Sequence, residues 1–318
     1  MKRIVLILPY FGRVPSYFPL FLTSCRNNPT VDWLIYTDQP LTDTPANVKV
    51  IKVSFDSFAR RIVDGLPFKA TLKSPYKLCD FKPVYGEVLQ DDISGYDFWG
   101  HCDCDLIFGD IRTFIGDDIL ERYTKVLSHG HLTLYHNDPE TNSYYRRQQY
   151  KDPVTVLNDP RTLFFDEWHG VSRAWSEEGI PFCDDTDFDD IYIRRFEFLP
   201  VKWRADGTDR LISHVAYGYH NQRLYRYWEQ DGKLQEEEIL YVHFQKRRME
   251  VETASTEEFM AVPNRFVSLP HSLTLSELRH MTPYWSWSRW VFNCRREGKH
   301  WLYLQKLRVQ HLMGREDV

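Results

Sequence analysis

The sequence predicts an α/β protein on a doubly wound, mostly parallel sheet, and three observations lead there. A short β-branched and aliphatic run, Ile4–Leu8, stops at Pro9. Tyr17, Phe18, Phe21, Leu22 and Cys25 then recur at helical spacing. Strand-like and helix-like stretches follow through the first third of the chain, in the order β-α-β-β-α-α-β.

Ile4–Leu8 reads as a buried strand of parallel type, because a strand covered on both faces is continuously apolar rather than alternating. The helix after it lies in VPSYFPLFLTSCRNNP, with Pro15 near its start. VDWLIYTDQP (31–40) is a second strand that closes in polar turn residues, and VKVIKVSF (48–55) is a third. A helix is expected from about Phe55 to Val63, then a longer helical stretch near Tyr76–Leu89. YDFWGHCDCDLIFGDI (96–111) opens with the next strand. Ligands of such sheets sit outside the carboxyl ends of the strands, which puts Pro9–Gly12, Thr37–Asp38 and the DCD segment on one rim. HLTLYHN (131–137) is strand-like, and an acid run, CDDTDFDD, covers 183–190. Residues 192–245 read mostly as strands, with a hairpin turned at Asp231-Gly232. The last sixty residues are rich in Trp, Arg, Lys and His, with helical periodicity after Trp285. No internal repeat or flexible linker divides the chain.

With 318 residues, 42% hydrophobic and 27% charged, the chain can bury a sizeable core. Its net charge of -5 argues against general nucleic-acid binding through phosphate neutralisation. The six cysteines are scattered, and Cys102-x-Cys104 lacks a second pair to complete a zinc site. A reducing, cytosolic compartment follows. Ile4–Leu8 is too short for a signal-peptide core, and no stretch reaches the roughly 20 apolar residues of a membrane span.

The acids of YDFWGHCDCDLIFGDI carry the strongest chemical signal. In an extended segment alternate side chains share a face, so Asp103 and Asp105 are expected to point one way and Cys104 the other. Two carboxylates together repel, and they stay ionised most readily with a cation beside them. Their oxygens suit Mg²⁺ or Mn²⁺, which often also coordinates substrate phosphates. Gly100 and Gly109 bracket the pair and would let a ligand approach closely. The plain alternative is a solvated pair at a strand-to-turn junction, since a bare DxD is a frequent chance pattern.

Three further groups stand out. In YKLCDFKPVYG (76–86), Lys77 and Lys82 flank Asp80, and such cations pair with phosphates or ribose hydroxyls; an ordinary charged helix face looks the same. In LYVHFQKRRM (240–249), His243 could complete a metal shell and Lys246, Arg247 and Arg248 could stabilise a departing diphosphate. A core histidine before a basic surface turn is the alternative. In FFDEWHGVS (164–172), Asp166 and Glu167 lie beside aromatic rings, as acids that hold sugar hydroxyls do. Either acid is a candidate general base toward an acceptor hydroxyl.

In this order, LPYFGRVPSYFPLFLTSC, VDWLIYTDQ, YKLCDFKPVYG, YDFWGHCDCDLIFGDI, FFDEWHG and YVHFQKRRM resemble the nucleotide-sugar-dependent glycosyltransferases of the GT-A fold. The resemblance is nearest to bacterial proteins of capsule, exopolysaccharide and O-antigen synthesis, and it covers roughly residues 2–250. It implies a GT-A domain over 1–250, with a nucleotide-binding part to about 112 and an acceptor part over about 113–250. A helical aromatic and basic extension over 251–318 packs on it or faces the membrane. The implied metal ligands are Asp103, Asp105 and His243, with Asp103 also on the ribose and Lys246 on the diphosphate. Pro9, Tyr10, Phe11, Thr37 and Asp38 would line the base, and Lys77, Asp80 and Lys82 the nucleotide or donor sugar.

The implied reaction is a metal-dependent hexosyl transfer from a UDP-sugar to a saccharide or lipid-linked saccharide, with Mn²⁺ or Mg²⁺ as cofactor. The C-terminal mixture of Trp, Tyr, Arg and Lys suits contact with anionic lipid at the cytoplasmic membrane face. Two other classes compete. A metal-dependent nucleotidyltransferase also uses paired aspartates, but PYFGRVPSYF lacks its Gly-rich loop. A non-catalytic sugar-binding protein would keep the fold without turnover.

Overall fold

Strand β1 (Ile4–Pro9) is the middle of the first sheet, and its residues from Ile4 to Leu8 are all buried. β2 (Val31–Thr37) runs parallel to it on one side, followed outward by β3 (Val48–Lys52), also parallel. β4 (Phe98–Cys102) runs parallel on its other side. β5 (Leu106–Phe108) is a separate short strand. β6 (Lys125–His129) and β7 (Leu132–His136) complete the sheet in the order β3-β2-β1-β4-β7-β6. Only β7 runs against the others, so the sheet is mostly parallel. In this computed structural model residues 1–147, 151–184, 187–208 and 211–283 are described, with isolated residues between 287 and 305. They form two compact units that meet in sequence between Phe188 and Asp189.

Local chemistry explains the first unit's elements. Helix α1 (Phe18–Arg26) carries a proline in its first turn and buries Phe18, Phe21, Leu22 and Cys25, the periodic residues of the sequence. In α2 (Phe55–Asp64), the Ser54 hydroxyl accepts from the Ser57 amide as an N-cap, and Phe58, Ala59 and Ile62 face the core. Asp97 and Asp110 also have local tasks: Asp97 accepts from the Arg3 amide at 2.7 Å, and Asp110 caps the turn Ile111–Phe114.

Two expectations are corrected here. The helix expected across Tyr76–Leu89 is broken into Pro75–Lys77, Leu78–Phe81, Lys82–Val84 and Tyr85–Val88. Pro83 has no amide hydrogen to donate and crowds the residue before it, so a continuous helix cannot pass. Gly100 does not serve ligand approach: a Cβ there would stand 2.3 Å from the Thr133 carbonyl oxygen of β7. Strand pairing alone accounts for that glycine.

The second unit contains a largely antiparallel sheet. Its strands are β8 (Asp189–Asp190), β9 (Ile212–His220), β10 (Arg223–Gln230), β11 (Lys233–Glu238), β12 (Tyr241–His243), β13 (Glu250–Val251), β14 (Phe259–Val262) and β15 (Arg265–Val267). Six of them form the sheet β11-β10-β9-β14-β15-β13, and β8 pairs in parallel with β12. The β10–β11 turn has Asp231 at φ 52° and Gly232 at φ 72°, as a tight turn between twisted strands demands. Residues 192–211, expected as strand, instead contain the helix Val201–Asp206 after Pro200. The helix Leu275–Met281 starts with a Thr274/Glu277 capping box and sets Leu278 among Ala216, Tyr227, Met260 and Val262. The helical periodicity read after Trp285 lies largely outside the described residues; Trp287 and Trp290, which are described, are exposed and stack at 4.9 Å. Among the described residues no helix is long and apolar enough to cross a membrane.

Candidate functional site

The chain leaves β1 toward β2 and β3 on one side, while β4 lies on the other, so the strand order reverses between β1 and β4. Ligand crevices of open α/β sheets form at the carboxyl ends beside such a reversal. The segments there are Pro9–Gly12 and Asp103–Asp105, with Thr37–Asp38 at the end of neighbouring β2.

Residues expected around the base meet on this rim. The Asp38 carboxylate accepts from the Gly12 amide at 3.2 Å, where Gly12 has φ 104°. Hydrogen bonds from the Gln39 side chain and the Gly12 amide hold the Asp38 carboxyl below its ordinary range. Phe11 packs on Phe55 and Phe58, with ring centres 5.5 and 5.6 Å away. Thr37 is buried, and its carbonyl accepts from the Val53 amide at 2.9 Å. Burial, followed by the Cys104 thiol and the Asp105 charge, pushes the Tyr10 hydroxyl up to about 12.

β4 ends at Cys102, and Cys104 and Asp105 form a bend, so the two aspartates do not sit on a continuing strand. The Asp103 amide donates to the His131 carbonyl at 3.1 Å, which continues the β4–β7 pairing by one residue. Cys104 and Asp105 are buried and Asp103 is half-buried. An oxygen of Asp103 and one of Asp105 nevertheless lie within 4.8 Å of each other, a span one divalent cation can bridge. Two hard carboxylate donors at this separation fit Mg²⁺ or Mn²⁺.

Lys82 meets this pair from the broken helix. Its ammonium donates to Asp103 Oδ1 at 2.8 Å and to the Gly130 carbonyl at 2.7 Å, and lies 3.2 Å from Asp166 Oδ2. Burial opposes its charge, but Asp103 and Asp166 together outweigh burial and hold the ammonium well above its ordinary range. Asp166 is 4% exposed, and its Oδ1 has no hydrogen-bond partner among the described residues. Gly130 makes room for the acids: a Cβ there would stand 2.5 Å from Asp166 Oδ2 and 2.7 Å from Glu167 Oε1.

Burial pushes the Asp166 carboxyl up to about 7, with Lys82 opposing and Glu167 and Asp103 adding to the rise. The folded chain therefore keeps a proton that the unfolded chain loses near pH 4. Asp166's stabilisation is full below that pH and is lost as the pH rises through about 7. Melting temperatures of wild type and Asp166→Asn between pH 4 and 8 should show a decline in the wild type that the variant lacks. Parallel profiles would contradict this protonation.

Lys77 and Asp80 lie below the rim, where both are buried. The Lys77 ammonium donates to Asp80 Oδ2 at 2.7 Å and to the Val156 and Arg161 carbonyls at 2.9 and 2.6 Å. Asp80 also accepts from the Leu163 and Phe165 amides at 2.8 and 2.9 Å. The pair thus anchors the segment that delivers Asp166 and Glu167.

Two neighbours of the site were not singled out in the sequence. His101, on β4 within GHCDC, is fully buried, and burial followed by Lys82 and Lys125 pushes it well below its ordinary range, so it is neutral. Burial likewise pushes the Lys125 ammonium down to about 7, with Asp184 opposing, and it lies 4.6 Å from the Phe182 ring centre. Nothing in the local pattern distinguishes either from an ordinary strand residue.

In the second unit, His243 Nδ1 is 2.7 Å from Asp190 Oδ1, and Gln245 Nε2 donates to Asp190 Oδ2 at 2.5 Å. A carboxylate on one imidazole nitrogen fixes the ring's tautomer and orientation, the support typical of metal-binding histidines. Gln245 and Lys246 follow with φ 49° and 57°, and Lys246 is exposed. Arg247, read as a diphosphate-facing cation, is turned inward: its guanidinium donates to the Phe196, Arg195 and Tyr192 carbonyls at 2.7, 2.7 and 3.1 Å.

Fold and rim together define a mixed α/β protein with paired acids at the switch point of a mostly parallel sheet. The chain belongs to a family of unknown function, DUF6625, whose sequence profile matches residues 6–270. No curated protein matches it. Among solved structures it is similar to that of a galactosyltransferase, LgtC, in complex with donor and acceptor sugar analogues. That match has 11% identity and a TM-score of 0.32, over 59% of this chain and 76% of the other.

Proposed function

We propose that the protein is a metal-dependent glycosyltransferase that binds a nucleoside diphosphate sugar, UDP-linked in the first instance, at the carboxyl edge of its parallel strands. The observation that carries this reading is the Asp103–Asp105 pair at the end of β4, beside the point where strand order reverses. Pro9, Tyr10, Phe11, Thr37 and Asp38 line the base on the same rim. Asp103 and Asp105 hold Mn²⁺ or Mg²⁺, and Asp103 also reaches the ribose. The cation, when bound, neutralises charge that develops on the leaving diphosphate.

The chain's own groups do the rest. Lys82 fixes the orientation of Asp103 and adds positive charge beside the diphosphate. Glu167, the more exposed of the two neighbouring acids, accepts the proton of the incoming hydroxyl, and buried Asp166 holds Lys82 in place. Lys77 and Asp80 act through the segment they anchor. The resemblance gives His243 a metal and Lys246 a diphosphate to hold. The acceptor is a saccharide or lipid-linked saccharide of surface polysaccharide synthesis on the cytoplasmic side, and the exposed Trp287–Trp290 stack suits contact with a lipid surface.

Incubation with UDP-, GDP- and dTDP-hexoses, Mn²⁺ and lipid-linked saccharide acceptors tests this directly. The expected result is release of one nucleoside diphosphate with formation of a glycoside. Absence of release from every donor would overturn the reading.

A further inference from the structure

We infer that Lys82 is the site's built-in cation, competing with the divalent metal for Asp103 and thereby coupling metal binding to arrival of the diphosphate. This inference rests on the proposed metal site at Asp103 and Asp105.

The ammonium has three hydrogens and three acceptors: Asp103 Oδ1, the Gly130 carbonyl and Asp166 Oδ2, at 2.8, 2.7 and 3.2 Å. Its side chain is 7% exposed, so the ammonium does not reach solvent by a small rotation. Asp103, at 29% exposure, is the outer member of this pairing, and Asp166, at 3%, the inner one. A metal that takes Asp103 must share a carboxylate already paired with an ammonium. It also meets a like charge that poorly hydrated surroundings screen little.

Two consequences follow. Metal alone binds weakly, because the first carboxylate it needs is already neutralised. A bound diphosphate supplies negative charge that accommodates both cations, so metal and nucleotide bind with positive coupling, and the coupling is reciprocal. Asp166 Oδ2, 3.2 Å from the ammonium, gives Lys82 an alternative acceptor to Asp103. The site therefore resists loading with metal until substrate is present.

Calorimetric titration of Mn²⁺ into the full chain, with and without UDP, tests this on wild type, Lys82→Gln and Lys82→Met. In wild type, UDP is expected to tighten Mn²⁺ binding by about tenfold or more, within the usual range of coupling between sites. Both Lys82 variants are expected to bind Mn²⁺ alone about tenfold tighter than wild type and to lose most of the UDP effect. Should both fail to fold by circular dichroism, Asp166→Asn replaces them. With an amide in place of the Asp166 carboxyl, Lys82 pairs more fully with Asp103, and Mn²⁺ alone should bind several-fold more weakly. Folded Lys82 variants with unchanged or weaker affinity for Mn²⁺ alone would overturn the inference, as would unchanged affinity in Asp166→Asn. If wild type binds Mn²⁺ and Asp105→Asn removes that binding, such a failure belongs to Lys82 alone. If wild type binds no Mn²⁺ even with UDP, the metal site and this inference fall together.

Discussion

Asp105→Asn is expected to weaken Mn²⁺-dependent UDP binding by on the order of 100-fold or more, with the melting temperature little changed. Asparagine keeps the volume and one carbonyl oxygen, so the bend after β4 can keep its shape. It removes the charge that a hard divalent cation requires of an oxygen ligand, and even lesser changes around metal sites cost 10–100-fold in affinity. Asp105 is only 4% exposed and has an oxygen within 4.8 Å of an Asp103 oxygen, so its charge is held beside its partner's. Unchanged Mn²⁺-dependent binding by a folded variant would refute the assignment.

Asp80→Ala is expected to be the most destabilising change around the site, by about 3–5 kcal/mol, the usual cost of breaking a buried ion pair on one side. It leaves the Lys77 ammonium buried with only the Val156 and Arg161 carbonyls, and it orphans the Leu163 and Phe165 amides. Those amides begin the segment that brings Asp166 to Lys82, so the variant should also lose glycosyl transfer. Replacing both partners, as Lys77→Met with Asp80→Leu, should cost less than Asp80→Ala alone, because no uncompensated charge remains. Denaturant unfolding with an intact slope measures both. A loss below about 1 kcal/mol for Asp80→Ala would contradict the anchoring role.

The parts of the fold legible in the sequence are those set by local pattern. Ile4–Leu8 announces a strand covered on both faces, and the spacing of Phe18, Phe21, Leu22 and Cys25 announces α1. Asp231-Gly232 supplies the left-handed residues its hairpin turn needs. The single helix expected across Tyr76–Leu89 is interrupted where Pro83 has no amide hydrogen to give to the backbone ladder. Gly100 departs from expectation for a different reason: its neighbour is the Thr133 carbonyl, 33 residues away, and no local signal predicts that contact.

The site divides along the same line. Which residues gather at the strand ends follows from strand order, and Pro9–Phe11, Thr37–Asp38 and the DCD acids were readable once the α/β pattern was recognised. The pairing of Lys82 with Asp103 and Asp166 was not, because it depends on how the β6–β7 turn at Gly130 and the segment anchored by Asp80 fold over the rim. Buried His101 and Lys125 were invisible for the same reason. Their altered protonation comes from burial, which a single strand's sequence does not report.

The central claim, that the acids after β4 hold a cation against a nucleoside diphosphate, is tested most directly by calorimetric titration of UDP into the purified protein, first with Mn²⁺ and then with EDTA. The account predicts one-to-one binding with Mn²⁺ that EDTA abolishes. UDP binding of equal affinity in EDTA, or no binding of UDP, GDP or dTDP in either condition, would contradict it.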